Sequence, residues 1–303
     1  MTYVFGCSMS KWYWPTWVDW LRVYDKPIIN LANKGYGVDI IYWQILKYLD
    51  KIKPEDHIII MWPENHRVGF WYDREWAEQR EVLGFFPNTN GKLWFSNTEQ
   101  YQGFYRVHPE LQPSFTHMAV NKLQAILQVQ QILDKKNCTY QMTSTGNLWF
   151  DRRPVFKPSY KTTYQIYPTI TREEIANVNK ILEMEPVKKL VGLINWDKFV
   201  YTPADPYNPK SHIGLWEYFV ANKEYFVLKH ETDNHPNSLA HHDFALEWIL
   251  GQNPTTGKHR KVAYQIATET QKYLVPEFTD TDFIIDPEVE LLDSKYKTLL
   301  ETL

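Results

Sequence analysis

Pro54-Glu55-Asp56 leads into His57-Ile58-Ile59-Ile60-Met61-Trp62, and this run decides the fold. From Ile58 to Trp62 the residues are apolar without alternation, so both faces of the segment require cover. A strand buried on both faces belongs to a parallel sheet with helices on each side. Before it, Pro27-Ile28-Ile29-Asn30-Leu31 and Tyr3-Val4-Phe5 read as two further short strands. Between the strands, Trp17, Trp20, Leu21 and Tyr24 recur at helical spacing after Pro15. Ile41, Ile45 and Leu49 do the same after the breaks at Gly35 and Gly37. Strand, helix, strand, helix, strand with short connections predicts an α/β chain built as a three-layer α/β/α sandwich.

Beyond Trp62 the periodicity fades into Trp, Asn, Gly and Pro over about residues 63–115, which reads as a long insertion at the functional edge of the sheet. Leu123, Ile126, Val129 and Leu133 mark a helix, and a strand is expected near Thr139–Thr143. A second irregular, aromatic-rich stretch covers about 146–170. Thr171 and Glu174 form a capping-box pattern ahead of a helix carrying Ile175, Val178 and Leu182. Lys189–Asn195 and Tyr225–Leu228 read as strands, and the last sheet helix as about Ser238 to Leu250. This divides the chain into an α/β domain over 1–253 and a charged, partly helical extension over 254–303, with Val262, Ile266 and Tyr273 on a helical face.

Composition narrows the function. A net charge of -3 over 303 residues leaves no basic footprint for nucleic acid. No stretch approaches the ~20 apolar residues of a membrane span, and no signal-peptide pattern opens the chain. The expectation is a cytoplasmic or virion-associated protein. Two cysteines, Cys7 and Cys138, are too few for a disulfide framework. Aromatic residues make up 16% of the chain, enough to line a sugar or apolar groove as well as a core.

The residues with chemistry stand at the two ends. Gly6-Cys7-Ser8 follows the first strand; Asp233-Asn234-His235-Pro236-Asn237 precedes the last helix. A serine, a base and a carboxylate to orient the base are what acyl transfer through a covalent intermediate requires. Gly6-Cys7-Ser8, Asn30-Leu31-Ala32-Asn33-Lys34-Gly35, Pro63-Glu64-Asn65-His66 and Asp233 to Asn237 come in the order of the sequence blocks of the SGNH (GDSL-like) hydrolases, which the chain resembles from about Tyr3 to Leu250. Cys7 stands where that family usually has aspartate, the third block lacks its glycine and final aspartate, and one residue separates Asp233 from His235 where two are commoner. The Gly-Cys-Ser start and Trp-rich third block are also similar to hydrolase-like proteins encoded by bacteriophages.

The resemblance implies a flavodoxin-like parallel sheet and a serine esterase or deacetylase that needs no cofactor and no metal. In it Ser8 is the nucleophile, His235 the base and Asp233 its orienting acid. The backbone N–H groups of Ser8 and Gly35, with the Asn65 amide, are the implied oxyanion donors. Trp62, Glu64, Arg67 and Trp71 are candidate substrate-binding residues, and Trp76, Trp94 and Trp149 add aromatic surface suited to an acylated glycan or similar small ester. Other readings stay open: an O-acyltransferase, a catalytically silent binding or virion protein with the same fold, Cys7 as nucleophile, or a metal held among His230, Asp233, His235, His241, His242 and Asp243.

Overall fold

The computed structural model describes residues 1–12, 15–24, 27–33, 36–65, 114–150, 170–220, 235–254, 257–270 and 295–303, together with the backbone of strands at 69–73, 86–87, 92–96, 155–158 and 163–166. In chain order the elements begin β1 (Thr2–Phe5), α1 (Trp17–Tyr24), β2 (Ile28–Asn30), α2 (Val38–Tyr48) and β3 (His57–Trp62). Strands β4 (Gly69–Asp73), β5 (Phe86–Pro87) and β6 (Lys92–Ser96) follow, then α3 (Phe115–Lys135) and β7 (Thr139–Ser144). Next come β8 (Val155–Pro158), β9 (Thr163–Ile166), α4 (Arg172–Leu182), α5 (Glu185–Leu193) and α6 (Leu215–Val220). The chain ends with α7 (Ser238–Phe244), α8 (Lys258–Thr270) and α9 (295–301).

The central sheet has four parallel strands in the order β2-β1-β3-β7, the flavodoxin-like order. Register pairs Phe5 with Ile60 and Trp62 with Ser144, so β3 and β7 end side by side and β1 stops two residues earlier. Phe199 adds a single parallel bridge to Met142, on β7. Side chains of β3 alternate between two cores, which is why the run must be apolar throughout. Ile58, Ile60 and Trp62 pack with Tyr3 and Phe5 against α2, α3, α4 and α5. Ile59 and Met61 pack with Val4 and Cys7 against α1, α6, α7, α8 and α9. Each such aliphatic side chain, fully buried, contributes about 1.5–3 kcal/mol.

The three-layer expectation therefore holds. The second core does not stop at residue 253: Ala263, Ile266, Tyr296 and Leu300 lie in the same cluster as Trp17 and Phe244, so the extension covers one face of the sheet. The capping box is present, with Glu174 N–H bonded to Thr171 Oγ1 at 3.2 Å and Thr171 N–H to Glu174 Oε2 at 2.8 Å.

Two expectations need correction. Lys189–Asn195 is not a strand; Lys189 to Leu193 lie in α5, started by Pro186 in its first turn. Val187 and Val191 are buried four residues apart on one helical face, a periodicity that begins before Lys189. The two insertions are not wholly irregular either. The first holds an antiparallel sheet in the order β4-β6-β5 and the second the antiparallel pair β8-β9. Tyr225–Leu228 and Tyr273 lie outside the described residues. Among the described residues no helix is long and apolar enough to cross a membrane.

Candidate active site

Ser8 begins a short 3-10 turn, Ser8–Ser10, three residues past the end of β1. It does not cap α1, which starts only at Trp17. Gly6 makes the turn possible: a Cβ there would lie 2.5 Å from Ser10 Oγ and 3.3 Å from Met61 Cβ, so only glycine lets the turn fold against β3. Asn30, at the end of β2, fastens the turn by donating from Nδ2 to Ser10 O at 2.8 Å while its Oδ1 accepts from Ala32 N–H at 3.0 Å. Thr16 Oγ1 donates to the same carbonyl at 3.0 Å. The second sequence block thus supports the first through a side chain.

His235 arrives from the far end of the chain. Pro236 follows it, which favours extended backbone at the histidine. Asn237 then caps α7, its Oδ1 accepting from Ala240 N–H at 3.1 Å. Ser238 Oγ accepts from Trp20 Nε1 at 3.0 Å, tying the start of α7 to α1. Held at both points, His235 places Nε2 2.9 Å from Ser8 Oγ, across 227 residues of sequence. The imidazole is partly exposed, whereas Ser8 keeps 3% of its surface. One face of the imidazole is covered by the Trp12 indole, with centroids 3.5 Å apart and planes 12° from parallel.

Asn65 lies just beyond β3, at the same edge of the sheet, and is buried. Its Nδ2 donates to Leu148 O at 2.8 Å, which commits one of the two amide hydrogens. The neighbouring backbone is pinned as well: Lys122 Nζ donates to Pro63 O at 2.6 Å, and Thr145 N–H to Trp62 O at 2.8 Å. Glu64 is buried and accepts from Trp216 Nε1 at 3.2 Å. On the following loop, Gly214 packs so closely on Gly146 that a Cβ would meet its backbone at 2.6 Å.

Trp62 has to be reassigned. It is fully buried with Ile58 and Ile60, and its Nε1 points to Met142 Sδ at 3.4 Å. As the last inward-facing residue of β3 it presents no surface to a ligand. Trp71 belongs to β4, paired with Trp94 in the backbone register. Gly35, Arg67 and Asp233 lie outside the described residues, as do Trp76 and His230.

The competing nucleophile and the metal set separate by geometry. Cys7 is fully buried in the core beneath α1 and α7, and the oxygen of Ser8 is the atom that reaches His235. His241 is buried against Phe219, and burial together with nearby His235 pushes its pKa down to about 3. His242 turns the other way, to Tyr24 and Asp243, while Asp243 meets Arg260. Among the described residues no three histidine, cysteine or acidic side chains are placed to share an ion.

The sequence reading missed Trp12. Its place four residues after Ser8 was visible, but nothing in that spacing announces a stack on a ring from the other end of the chain. Comparison with protein-family models, with curated proteins and with solved structures found no match to this chain.

Proposed function

We propose that this chain is a serine hydrolase of the SGNH-like type, acting on a carboxylic ester of a small acylated substrate. The observation that carries the reading is the 2.9 Å contact between Ser8 Oγ and His235 Nε2. Its location supports the reading. In open parallel sheets ligands bind beyond the carboxyl ends of the strands, where the chain's progression across the sheet reverses. Here β2 lies on one side of β1 and β3 on the other, and Ser8 follows β1.

In the mechanism, His235 Nε2 takes the Ser8 proton as Oγ attacks the ester carbonyl carbon. The tetrahedral intermediate collapses, the C–O bond to the leaving alcohol breaks, and His235 returns the proton to that oxygen. Water then attacks the acyl-serine with His235 again as base, releasing the acid. Asp233, two residues before the base, is the proposed orienting acid. The remaining amide hydrogen of Asn65, with the backbone N–H groups of Ser8 and Gly35, is the proposed oxyanion set. A glycan scaffold for the substrate rests on aromatic abundance alone.

A non-catalytic binding role is the competing reading, and the 3% exposure of Ser8 favours it. Turnover of p-nitrophenyl acetate, with fluorophosphonate labelling mapped by mass spectrometry, separates the two. The hydrolase reading expects label on Ser8 and none on Ser8→Ala. Folded protein that neither turns over ester nor takes label supports the binder. Acyl transfer to an added alcohol in preference to water would mark a transferase.

A further inference from the structure

Trp12 stands just past the Ser8–Ser10 turn, and its indole lies flat on His235 at 3.5 Å. Only 6% of Trp12 is exposed, so the indole is itself held in place. An imidazole on a loop has two side-chain torsions, and rotation about either swings Nε2 away from its partner. A ring stacked 12° from parallel blocks the tilt that would break the 2.9 Å contact with Ser8. Hydroxyl and indole also ride on one short stretch of backbone, four residues apart. A displacement of that stretch carries nucleophile and clamp together and keeps their relation to one another.

We infer that Trp12 is the positioning residue for His235: it holds the imidazole in line with Ser8 and lends its π face to the imidazolium formed when Ser8 gives up its proton. His241, also near His235, is buried and supplies no hydrogen bond to it; both of its ring nitrogens lack partners among the described residues. The kinetic consequence rests on the hydrolase reading, whereas the stack itself does not.

The test joins a spectroscopic readout to a kinetic one. In the NMR spectrum of the full chain, the carbon-bound ring protons of His235 lie over the indole and are expected upfield of ordinary histidine positions. Trp12→Leu abolishes that displacement, and Trp12→Phe keeps part of it. With p-nitrophenyl acetate, Trp12→Leu lowers kcat roughly 10- to 100-fold with KM little changed, the scale of a misplaced catalytic group, and Trp12→Phe restores most of it. Ordinary His235 shifts in the wild-type protein overturn the proposal even if the leucine variant fails to fold. So does a Trp12→Phe variant no more active than a folded Trp12→Leu. A protein that hydrolyses no ester but shows the upfield ring protons retains the stack and removes only the hydrolase reading.

Discussion

Two hydroxyl–imidazole contacts of the same length join the two ends of the chain. Ser8 Oγ is 2.9 Å from His235 Nε2, and Tyr24 OH is 2.9 Å from His242 Nε2. By distance alone the second is the better triad, because His242 Nδ1 sits 2.8 Å from Asp243 Oδ1. Its surroundings argue otherwise. With Nδ1–H donated to Asp243, Nε2 must accept from the Tyr24 hydroxyl, whose oxygen accepts from His259 Nδ1 at 3.0 Å. Arg260 donates to Asp243 Oδ2 through two nitrogens, at 3.2 and 3.1 Å. Burial and the charge of Asp243 push the Tyr24 phenol up to about 12, so its proton stays put at neutral pH. These bonds form a network joining α1, α7 and α8. Such a closed network stabilises, whereas a nucleophile needs an oxygen that can turn to a substrate and a base that solvent can reach. His235 is partly exposed; His242 is 1% exposed.

Replacing each hydroxyl in turn puts the contrast at risk most directly. Ser8→Ala is expected to reduce ester turnover about 10⁴-fold or more with the melting temperature little changed. Tyr24→Phe should leave turnover within about twofold, yet cost ~1–3 kcal/mol in urea unfolding because buried His242 loses its bond. Turnover that survives Ser8→Ala and vanishes in Tyr24→Phe would exchange the roles assigned to the two sites.

Breaking the Asp243–Arg260 pair gives the largest effect on stability. The carboxylate is 1% exposed, while Arg260 is 30% exposed and can rehydrate its head. Removing the acid strips buried His242 of its acceptor while Arg260 rehydrates, at about 1–3 kcal/mol. Arg260→Ala should cost more, about 3–5 kcal/mol, since it leaves a carboxylate that is 1% exposed without the guanidinium. Chemical denaturation of both variants checks the order. Equal losses would mean that the pair behaves as a surface ion pair.

What the sequence revealed and what it hid follow the reach of the contacts. The buried parallel strand at Ile58–Trp62 was legible because two-sided burial leaves an unbroken apolar run. The helix start at Thr171 was legible because a capping box is local. The meeting of Ser8 with His235 spans the chain, and only motif order hinted at it. Trp12 on His235 and the Tyr24–His242–Asp243–Arg260 network left no trace, because contacts between distant side chains impose no spacing on either partner. Trp62 misled for a related reason: a tryptophan at a strand's end reads equally as ligand surface or as core, and the pleat alone decides. In α5 a short apolar run offered both periods, and Pro186 was the cue that should have settled it.

The smallest effect belongs to His241, which lies between the two pairs and joins neither. Both ring nitrogens are buried with no hydrogen-bond partner among the described residues, and the pKa is pushed down to about 3, first by burial and then by nearby His235. The unfolded chain takes up a proton near the ordinary value of 6.5, but the folded chain resists until about 3. The stability associated with a neutral His241 is therefore complete above pH 6.5 and drains away as pH falls through that interval, at about 1.4 kcal/mol per pH unit. His212, pushed down to about 4 mainly by burial, adds a second slope of the same sign. His241→Leu should then gain ~1–2 kcal/mol at pH 7, because an unsatisfied polar ring gives way to an apolar side chain of similar volume. It should also flatten the loss between pH 6 and 4 by about one proton's worth. Urea unfolding at pH 7, 6, 5 and 4 reads both quantities. A variant less stable at pH 7, with an unchanged acid slope, would mean that His241 finds a polar partner in solution.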